Sequence, residues 1–292
     1  DPHDEDICRE QVQRLGDERI RLIENREREG LVRSRNKGLR ASRGRYIAIM
    51  DSDDISERDR LQKEVDFLEE HPDHAMVGSP CNIIDGEGKT IKKGEAIPAT
   101  EQLYYNLLFA NQFPHSSVMY RREVIDKVGA YNEELSYGED YDLYLRIMEH
   151  GRVHMISEAL VSWRQHRASY TSILTDRMRE SISTVMKKNI ERKLGISVPE
   201  EALHLYIDHS IRGLPLGSVL SSLKTLEKIN SRFVERSDDW MDRNVAGRIA
   251  RKKYLSLLTG QVVSNRNLTS IALLMRNIKQ WPGLFLHVLG KR

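Results

Sequence analysis

The chain has 292 residues and a mass of 33.9 kDa, which suits one large domain or a domain with an appended region. A net charge of +2, 31% charged residues, a mean hydropathy of −0.56 and the lack of any run of eighteen apolar residues exclude an integral membrane bundle. The two cysteines, Cys8 and Cys81, cannot form a disulfide framework and fit a reducing compartment.

Strand-like and helix-like segments alternate over the first half of the chain, a pattern that predicts a largely parallel α/β sheet. The apolar run at 46–50 has the length of a strand and ends abruptly in Asp51-Ser52-Asp53-Asp54. In chain order the predicted elements are a helix at 5–16, a strand at 19–23, a helix at 31–41, the strand at 46–50, a helix at 57–70, a strand at 75–78, a hairpin at 85–94, a strand at 117–120 and a helix at 141–149.

Helical periodicity replaces this alternation after about Thr171. The charge changes at the same point, because residues 173–292 hold 21 Lys+Arg and 11 Asp+Glu, a balance of +10, and residues 1–172 have a balance of −8. We therefore expect a domain boundary near residue 173 and a basic region that faces either solvent or an anionic partner. Its predicted helices are 175–194, 200–212, 216–236 and 244–259, followed by an interrupted apolar segment at 268–289.

Asp51, Asp53 and Asp54 directly follow the apolar strand. Ligands of open α/β sheets bind beyond the carboxyl ends of the strands, and carboxylates at that place can hold Mg²⁺ or Mn²⁺, which prefer oxygen ligands. Such an ion can neutralise a diphosphate leaving group. The alternative is an Asp-rich turn that caps the next helix, although adjacent carboxylates repel one another when no cation is bound.

A second acidic group opens the last helix of this half, in the segment Gly138-Glu139-Asp140-Tyr141-Asp142. Carboxylates in a first helical turn stabilise the helix through its dipole. One of them can instead face a cleft as a general base that accepts a proton from a hydroxyl nucleophile. Asp140 and Asp142 lie on different faces of a helix, so at most one of the two serves this purpose.

Two basic segments are further candidates. The segment 163–166 contains His166, whose imidazole can ligate a metal, and Arg164, whose guanidinium can bind phosphate. The helix at 31–41 has basic residues near its start, where anions bind well. Each segment can also be interpreted without a function. His166 would then be an exposed histidine, and the helix at 31–41 an ordinary basic amphipathic helix.

The order of these motifs along the chain is similar to that of a known protein family. The helix with Arg33 and Asn36 comes first, then the strand that ends in Asp-x-Asp-Asp, a His-Ser-Ser segment at 115–117, Gly-Glu-Asp-x-Asp-x-x-x-Arg and Trp-Arg-x-His. Over residues 19 to about 172 this combination resembles glycosyltransferase family 2, the inverting enzymes of the GT-A fold. The resemblance implies a Rossmann-like α/β nucleotide-diphospho-sugar transferase domain in residues 1–172 and a mostly helical region in residues 173–292.

The resemblance also implies roles for individual residues. Asp51 would lie near the ribose of the nucleotide, Asp53 would bind Mn²⁺ or Mg²⁺ at the diphosphate, and Asp140 would be the catalytic base. Asp54 would support the site. Further contacts to the nucleotide are implied for Arg33, Asn36 and Arg164, and a contact to the metal for His166.

The implied reaction moves a sugar, with inversion, from a nucleotide-sugar donor to a hydroxyl. UDP is the expected nucleotide, and a glycan or lipid-linked acceptor in cell-surface glycan or polysaccharide biosynthesis is the expected acceptor. Family members begin with a strand, a helix and a second strand, so about 35 residues are expected to be missing before Asp1. The basic helices suit peripheral contact with the inner face of a membrane by a cytoplasmic protein, and no nucleic-acid partner is expected.

Three other functions stay open. A sugar nucleotidyltransferase would need a Gly-rich basic loop after the first strand, a region that the sequence lacks. A truncated or degenerate relative could act as a binding module, although retention of Asp51, Asp53, Asp140 and His166 argues against decay of the site. A glycoside hydrolase would use two carboxylates without a metal.

Overall fold

The computed structural model describes residues 2–97, 99–165, 176–208, 216–236, 241–250 and 252. The strands are β1 (Tyr46–Ala48), β2 (Ile55–Ser56), β3 (His74–Gly78), β4 (Cys81–Ile84), β5 (Thr90–Lys92), β6 (Met119–Arg121), β7 (Arg152–Met155) and β8 (Val161–Arg164). The helices are α1 (Pro2–Leu15), α2 (Leu31–Ala41), α3 (Arg60–Glu70), α4 (Thr100–Asn106), α5 (Arg122–Val128), α6 (Glu139–Ile147), α7 (Asp176–Leu194), α8 (Glu200–Asp208) and α9 (Leu216–Glu235). Residues 243–250 are also helical. The mixed α/β class expected from the sequence is confirmed.

The larger sheet has the strand order β1-β6-β3-β7. Both β1 and β3 pair with β6 in antiparallel fashion, whereas β3 and β7 are parallel. Three strands therefore share one direction and β6 runs against them. The expectation of a largely parallel sheet is correct for those three strands and wrong for β6, because apolar periodicity reports burial of a strand and not its direction.

A smaller sheet has the order β2-β8-β4-β5. Its β4 and β5 are antiparallel, which confirms the predicted hairpin, and β8 is parallel to β4 and antiparallel to β2. Because β2 follows the Asp51–Asp54 turn within the same chain segment, its pairing with β8 anchors that turn beside the end of β8. The acidic turn is therefore held between the two sheets.

The strand predicted at 19–23 is wrong. The structure places this segment in a loop, where Ile20, Leu22 and Ile23 are 39%, 47% and 44% exposed. A strand is stable only when a neighbouring backbone accepts and donates its hydrogen bonds, and no described strand pairs with this segment. Apolar residues without such a neighbour remain in an irregular conformation.

The C-terminal helices share one hydrophobic core with the sheet domain. Tyr105 of α4 donates a hydrogen bond from its hydroxyl to Asn230 Oδ1 of α9 (2.6 Å), and its ring makes an edge contact with Phe233. Phe109 makes a similar edge contact with Tyr206 of α8. Helices α7, α9 and the described part of 200–212 agree with the predicted helices. The boundary near residue 173 and the segment 268–289 lie outside the described residues.

Within the described part of the chain, no helix has both the length and the apolar character that crossing a bilayer requires.

Helix α3 contains a buried ion pair, and its arginine also contacts the loop after β1. Arg60 Nε lies 2.8 Å from Glu64 Oε1, and the two side chains are 2% and 0% exposed. The Arg60 guanidinium also donates to the carbonyls of Ile49 (3.0 Å) and Val118 (3.3 Å). Glu64 Oε2 has no hydrogen-bond partner, and burial, opposed by the attraction of Arg60, raises the pKa of Glu64 to about 7.

This pair predicts a pH-dependent stability. The pKa of Glu64 is higher in the folded protein than its ordinary value near 4.3, so the unfolded chain releases this proton first and stability falls as pH rises from about 4.3 to about 7. Glu64→Gln should remove this fall. The unfolding free energy of the variant minus that of the wild type should therefore rise by about 2 kcal/mol from about pH 5 to about pH 8. Urea unfolding at both pH values measures the change. Glu70→Gln, at an exposed position of the same helix, is the control and should show no comparable trend.

Candidate functional site

A cleft of about 710 Å³ opens where the loops after β1 and before β6 meet the start of α6. The acidic turn forms one side of the cleft and the first turn of α6 forms the other. Side chains from β8 and α7 complete the wall. Its lining residues are Leu31, Arg35, Asp51, Ser52, Asp53, Asp54, Cys81, Ala110, Asn111, Phe113, Pro114, His115, Ser116, Tyr137, Gly138, Glu139, Asp140, Tyr141, Trp163, Met178 and Ile182.

Asp51 is held by two cationic or potentially cationic side chains. Its Oδ1 lies 3.0 Å from an Arg35 guanidinium nitrogen and 3.4 Å from His115 Nδ1. Burial alone would raise the pKa of Asp51, but His115 and Arg35 together lower it to about 2. Asp51 is therefore a carboxylate across the whole physiological pH range, and Arg35 fixes its position.

Asp54 is fixed by hydrogen bonds to the turn before β6. The Ser116 hydroxyl donates to Asp54 Oδ2, and the same hydroxyl accepts the backbone N–H of Asp51 (3.0 Å). Asp54 Oδ1 accepts the backbone N–H of Arg164 at 3.0 Å. Burial raises the pKa of Asp54, and the negative charges of Asp53 and Asp51 raise it further. The hydrogen bonds from Ser116 and from the Arg164 backbone oppose this rise. Asp54 thus supports the shape of the acidic turn.

Asp53 is the exposed carboxylate of the acidic turn, and it lines the cleft. Among the described residues, the carboxylates of this turn do not converge into a cluster of three metal-donor groups. Mg²⁺ and similar ions at nucleotide sites commonly take one or two protein carboxylates and complete their shell with phosphate and water. The residues present therefore fit a divalent ion shared with a diphosphate, and they do not fit a closed protein cage. His166 lies outside the described residues.

The opposite side of the cleft holds Asp140. Its Oδ2 accepts a hydrogen bond from the Asn111 side-chain amide (2.8 Å), and its Oδ1 accepts the backbone N–H of Tyr141 (2.6 Å). Gly138 begins this helix in the left-handed region, with a φ of 74°, which favours glycine because a side chain is strained there. The first turn of α6 thus brings Asp140 into the lining of the cleft.

Glu139, beside Asp140, points to the interior. It is 7% exposed, and its Oε1 lies 2.6 Å from a second guanidinium nitrogen of Arg35. Burial and the charge of Asp140 raise the pKa of Glu139, while Arg35 opposes the rise. Arg35 therefore bridges Asp51 of the acidic turn and Glu139 of α6, and it couples the two sides of the site.

The structure does not bring Arg33, Asn36 and Arg164 into the lining of the cleft. Arg33 is exposed, and its Nε lies 3.4 Å from Glu133. Asn36 is buried, where its amide donates to the Tyr131 carbonyl and accepts the Tyr131 N–H, both at 2.9 Å. The nucleotide contacts expected for these two residues stay predictions.

Arg164 also makes its contacts with other parts of the protein. Its guanidinium donates to the backbone carbonyls of Asp53 (2.9 Å), Asp85 (3.0 Å) and Gly86 (2.9 Å). The side chain thus ties the acidic turn to the β4–β5 hairpin. The contact with donor phosphates expected for Arg164 stays a prediction.

Arg35 and Asn111 are site residues that the sequence reasoning missed, and His115, noted there only within the His-Ser-Ser segment, was given no role. For Arg35 a signal was available, because it follows Leu31 by four residues and so shares its helical face, whereas Arg33 lies on another face. Both Leu31 and Arg35 line the cleft. Asn111 gives no such signal, since a lone amide in a loop has no pattern to identify it.

Comparison with known proteins adds to this picture. Residues 1–129 match the family model described as Glycosyl transferase family 2. The chain is 28% identical over 205 residues to an uncharacterized glycosyltransferase of Haemophilus influenzae, covering 65% of this chain and 62% of that protein. It is 32% identical over 122 residues to the amylovoran biosynthesis glycosyltransferase AmsE of Erwinia amylovora, covering 42% and 45% respectively.

A third relative is the UDP-Glc:alpha-D-GlcNAc-diphosphoundecaprenol beta-1,3-glucosyltransferase WfgD of Escherichia coli, 26% identical over 182 residues, with 62% of this chain and 68% of that protein covered. The chain spans less than two thirds of the length of the other two relatives. The family match includes the acidic turn and Ser116, one side of the cleft. This match and these relatives show that residues 1–129 are similar to glycosyltransferase family 2.

Proposed function

We propose that the chain transfers a sugar, with inversion at the anomeric carbon, from a nucleotide-sugar donor to an acceptor hydroxyl in a metal-dependent reaction. The observation that carries the proposal is the placement of Asp53 and Asp140 in the lining of one cleft, on different elements. One exposed carboxylate suits a metal–diphosphate group, and a separate carboxylate suits a general base. Inverting transfer needs both functions and no covalent intermediate.

In this proposal Asp140 accepts the proton of the acceptor hydroxyl as that oxygen attacks the anomeric carbon. The Asn111 amide holds one carboxylate oxygen of Asp140 from the side, so that the base is oriented before the acceptor arrives. When bound, Mn²⁺ or Mg²⁺ would offset the negative charge that develops on the leaving diphosphate. Asp53 would hold that ion, while Asp51, fixed by Arg35, would contact the nucleotide.

UDP is the proposed nucleotide, and the proposed acceptor is a hydroxyl of a glycan or of a lipid-linked sugar. The reaction would belong to polysaccharide biosynthesis. The names of WfgD and AmsE support these choices.

The balance of +10 in residues 173–292 supports peripheral contact with an anionic membrane by a cytoplasmic protein. Residues 1–172 would act as the catalytic domain and 173–292 as a helical region. Two apolar side chains of α7, Met178 and Ile182, line the cleft, so this region would also help to select the acceptor.

Calorimetric titration with UDP tests the donor site. We expect binding in the presence of Mn²⁺ and at least tenfold weaker binding without it or in Asp53→Asn, because each removes part of the metal–diphosphate contact. Asp126→Asn, which removes one exposed carboxylate from α5, should bind like the wild type. GDP, titrated in parallel, should bind more weakly than UDP.

Equal UDP binding by Asp53→Asn and the wild type, each with Mn²⁺, would contradict the role of Asp53. Tighter binding of GDP would change the proposed donor but leave the metal site in place. The two parts of the proposal are thus tested separately.

A further inference from the structure

A group of imidazole rings lies at the other end of β3 from the cleft. His71 follows the last residue of α3, His74 begins β3, and Cys81, seven residues later, lines the cleft. His154 of β7 lies beside them, because β7 pairs with β3. None of these three histidines lines the cleft, so the proposed sugar transfer does not use them.

We propose that His71, Asp73 and His74 form a second, separate metal site for Zn²⁺ or a chemically similar transition-metal ion. One donor atom from each of the three side chains lies within 4.8 Å of the other two. Two imidazoles and one carboxylate are a common ligand set for zinc. Metal–ligand bonds of about 2.1 Å need the donors somewhat closer together, and exposed His71 and Asp73 have room for that adjustment.

The aromatic neighbours keep the donors of this site in place. The ring of Phe67 lies 4.4 Å from that of His71 and 5.2 Å from that of His74, measured between centroids. His74 Nδ1 lies 2.9 Å from Asp73 Oδ1, so these two side chains are already adjacent. The ligand set is thus largely assembled in the metal-free protein, which lowers the entropic cost of binding.

The Asp73 carboxylate also has a cationic neighbour that a bound metal would have to compete with. The competing group is Arg152, whose guanidinium lies 3.0 Å from Asp73 Oδ2.

Three protein ligands leave one tetrahedral position for water, so we expect an open site that exchanges its ion. The site joins the end of α3 to the start of β3, and an ion bound there would stabilise the folded chain, because the unfolded chain does not hold these donors together. Zn²⁺ should therefore raise the unfolding temperature by an amount that depends on its concentration.

The test is a calorimetric and thermal-unfolding titration with Zn²⁺, performed in the Asp53→Asn background to weaken the cleft as a competing site. The double variant His71→Ala/His74→Ala should lose at least tenfold in affinity and lose the rise in unfolding temperature. His150→Ala, which removes an exposed histidine outside the cluster, should keep both. His71→Ala alone serves as a milder variant, because this residue is exposed and its replacement should leave the fold intact.

Zn²⁺ binding to His71→Ala with wild-type affinity would overturn the proposal, as would equal losses in His71→Ala and His150→Ala. Co²⁺ gives an independent measure, since its visible spectrum reports nitrogen ligation directly. A spectrum that is unchanged by the His71→Ala substitution would also overturn it. None of these measurements depends on sugar transfer, so the proposed function and this site can fail separately.

Discussion

Replacement of Asp140 by asparagine should reduce kcat for sugar transfer by roughly 10²–10⁴-fold, the contribution of a well-placed general base. Asparagine has nearly the same shape and can accept the hydrogen bond from the Asn111 amide at its carbonyl oxygen, but it cannot take a proton from the acceptor. UDP binding in the presence of Mn²⁺ should stay within a few-fold of the wild type, because this carboxylate lies on the side of the cleft opposite Asp53. Initial rates under saturating donor and acceptor measure the first quantity, and calorimetry measures the second.

Asp142→Asn is the matched control for this experiment. Asp142 lies two residues further along α6, forms an ion pair with Arg146 at 2.9 Å and does not line the cleft. Its replacement should leave kcat within a few-fold of the wild type. Wild-type turnover by Asp140→Asn would rule out the assignment of the base, and equal losses in the two variants would indicate that the substitutions act through the helix and not through proton transfer.

The acidic residues of the cleft could be predicted from the sequence because they obey a rule of position. Asp51, Asp53 and Asp54 follow a strand, Asp140 opens a helix, and the ends of such elements meet at one edge of a sheet. The residues that organise these carboxylates obey no such rule. Asn111 lies in an irregular loop and His115 begins a short 3₁₀ helix at His115–Ser117, and their places depend on how this segment packs.

The errors in the fold have a related cause. Apolar alternation correctly gave the positions of β1, β3 and β6, but not that β6 runs in the opposite direction, because side-chain periodicity is the same in both directions. The strand expected at 19–23 lacked a neighbour, which no local pattern reveals. Helices α4 and α5, seven residues each, are too short for their periodicity to be recognised.

Replacement of Arg35 by methionine should lower the free energy of unfolding by about 3 kcal/mol, because it leaves two carboxylates without their common partner. Glu139 is the more affected of the two, since its side chain is 10% exposed, against 36% for Asp51. Methionine keeps much of the length and apolar volume of arginine, so the loss reports charge more than packing. Arg33→Met, on the exposed face of the same helix, should change stability by less than about 0.5 kcal/mol.

The loss should also depend on pH. The pKa of Asp51 is depressed in the folded protein to about 2, so the stabilisation from this group is present above its ordinary pKa near 3.9 and disappears as pH falls toward about 2. The difference between wild type and Arg35→Met should therefore be largest near neutral pH and shrink below about pH 4. Urea unfolding from about pH 3 to pH 8 measures this profile. A difference that stays constant over that range would mean that Arg35 stabilises the fold by packing, and that the two sides of the cleft are not coupled through its charge.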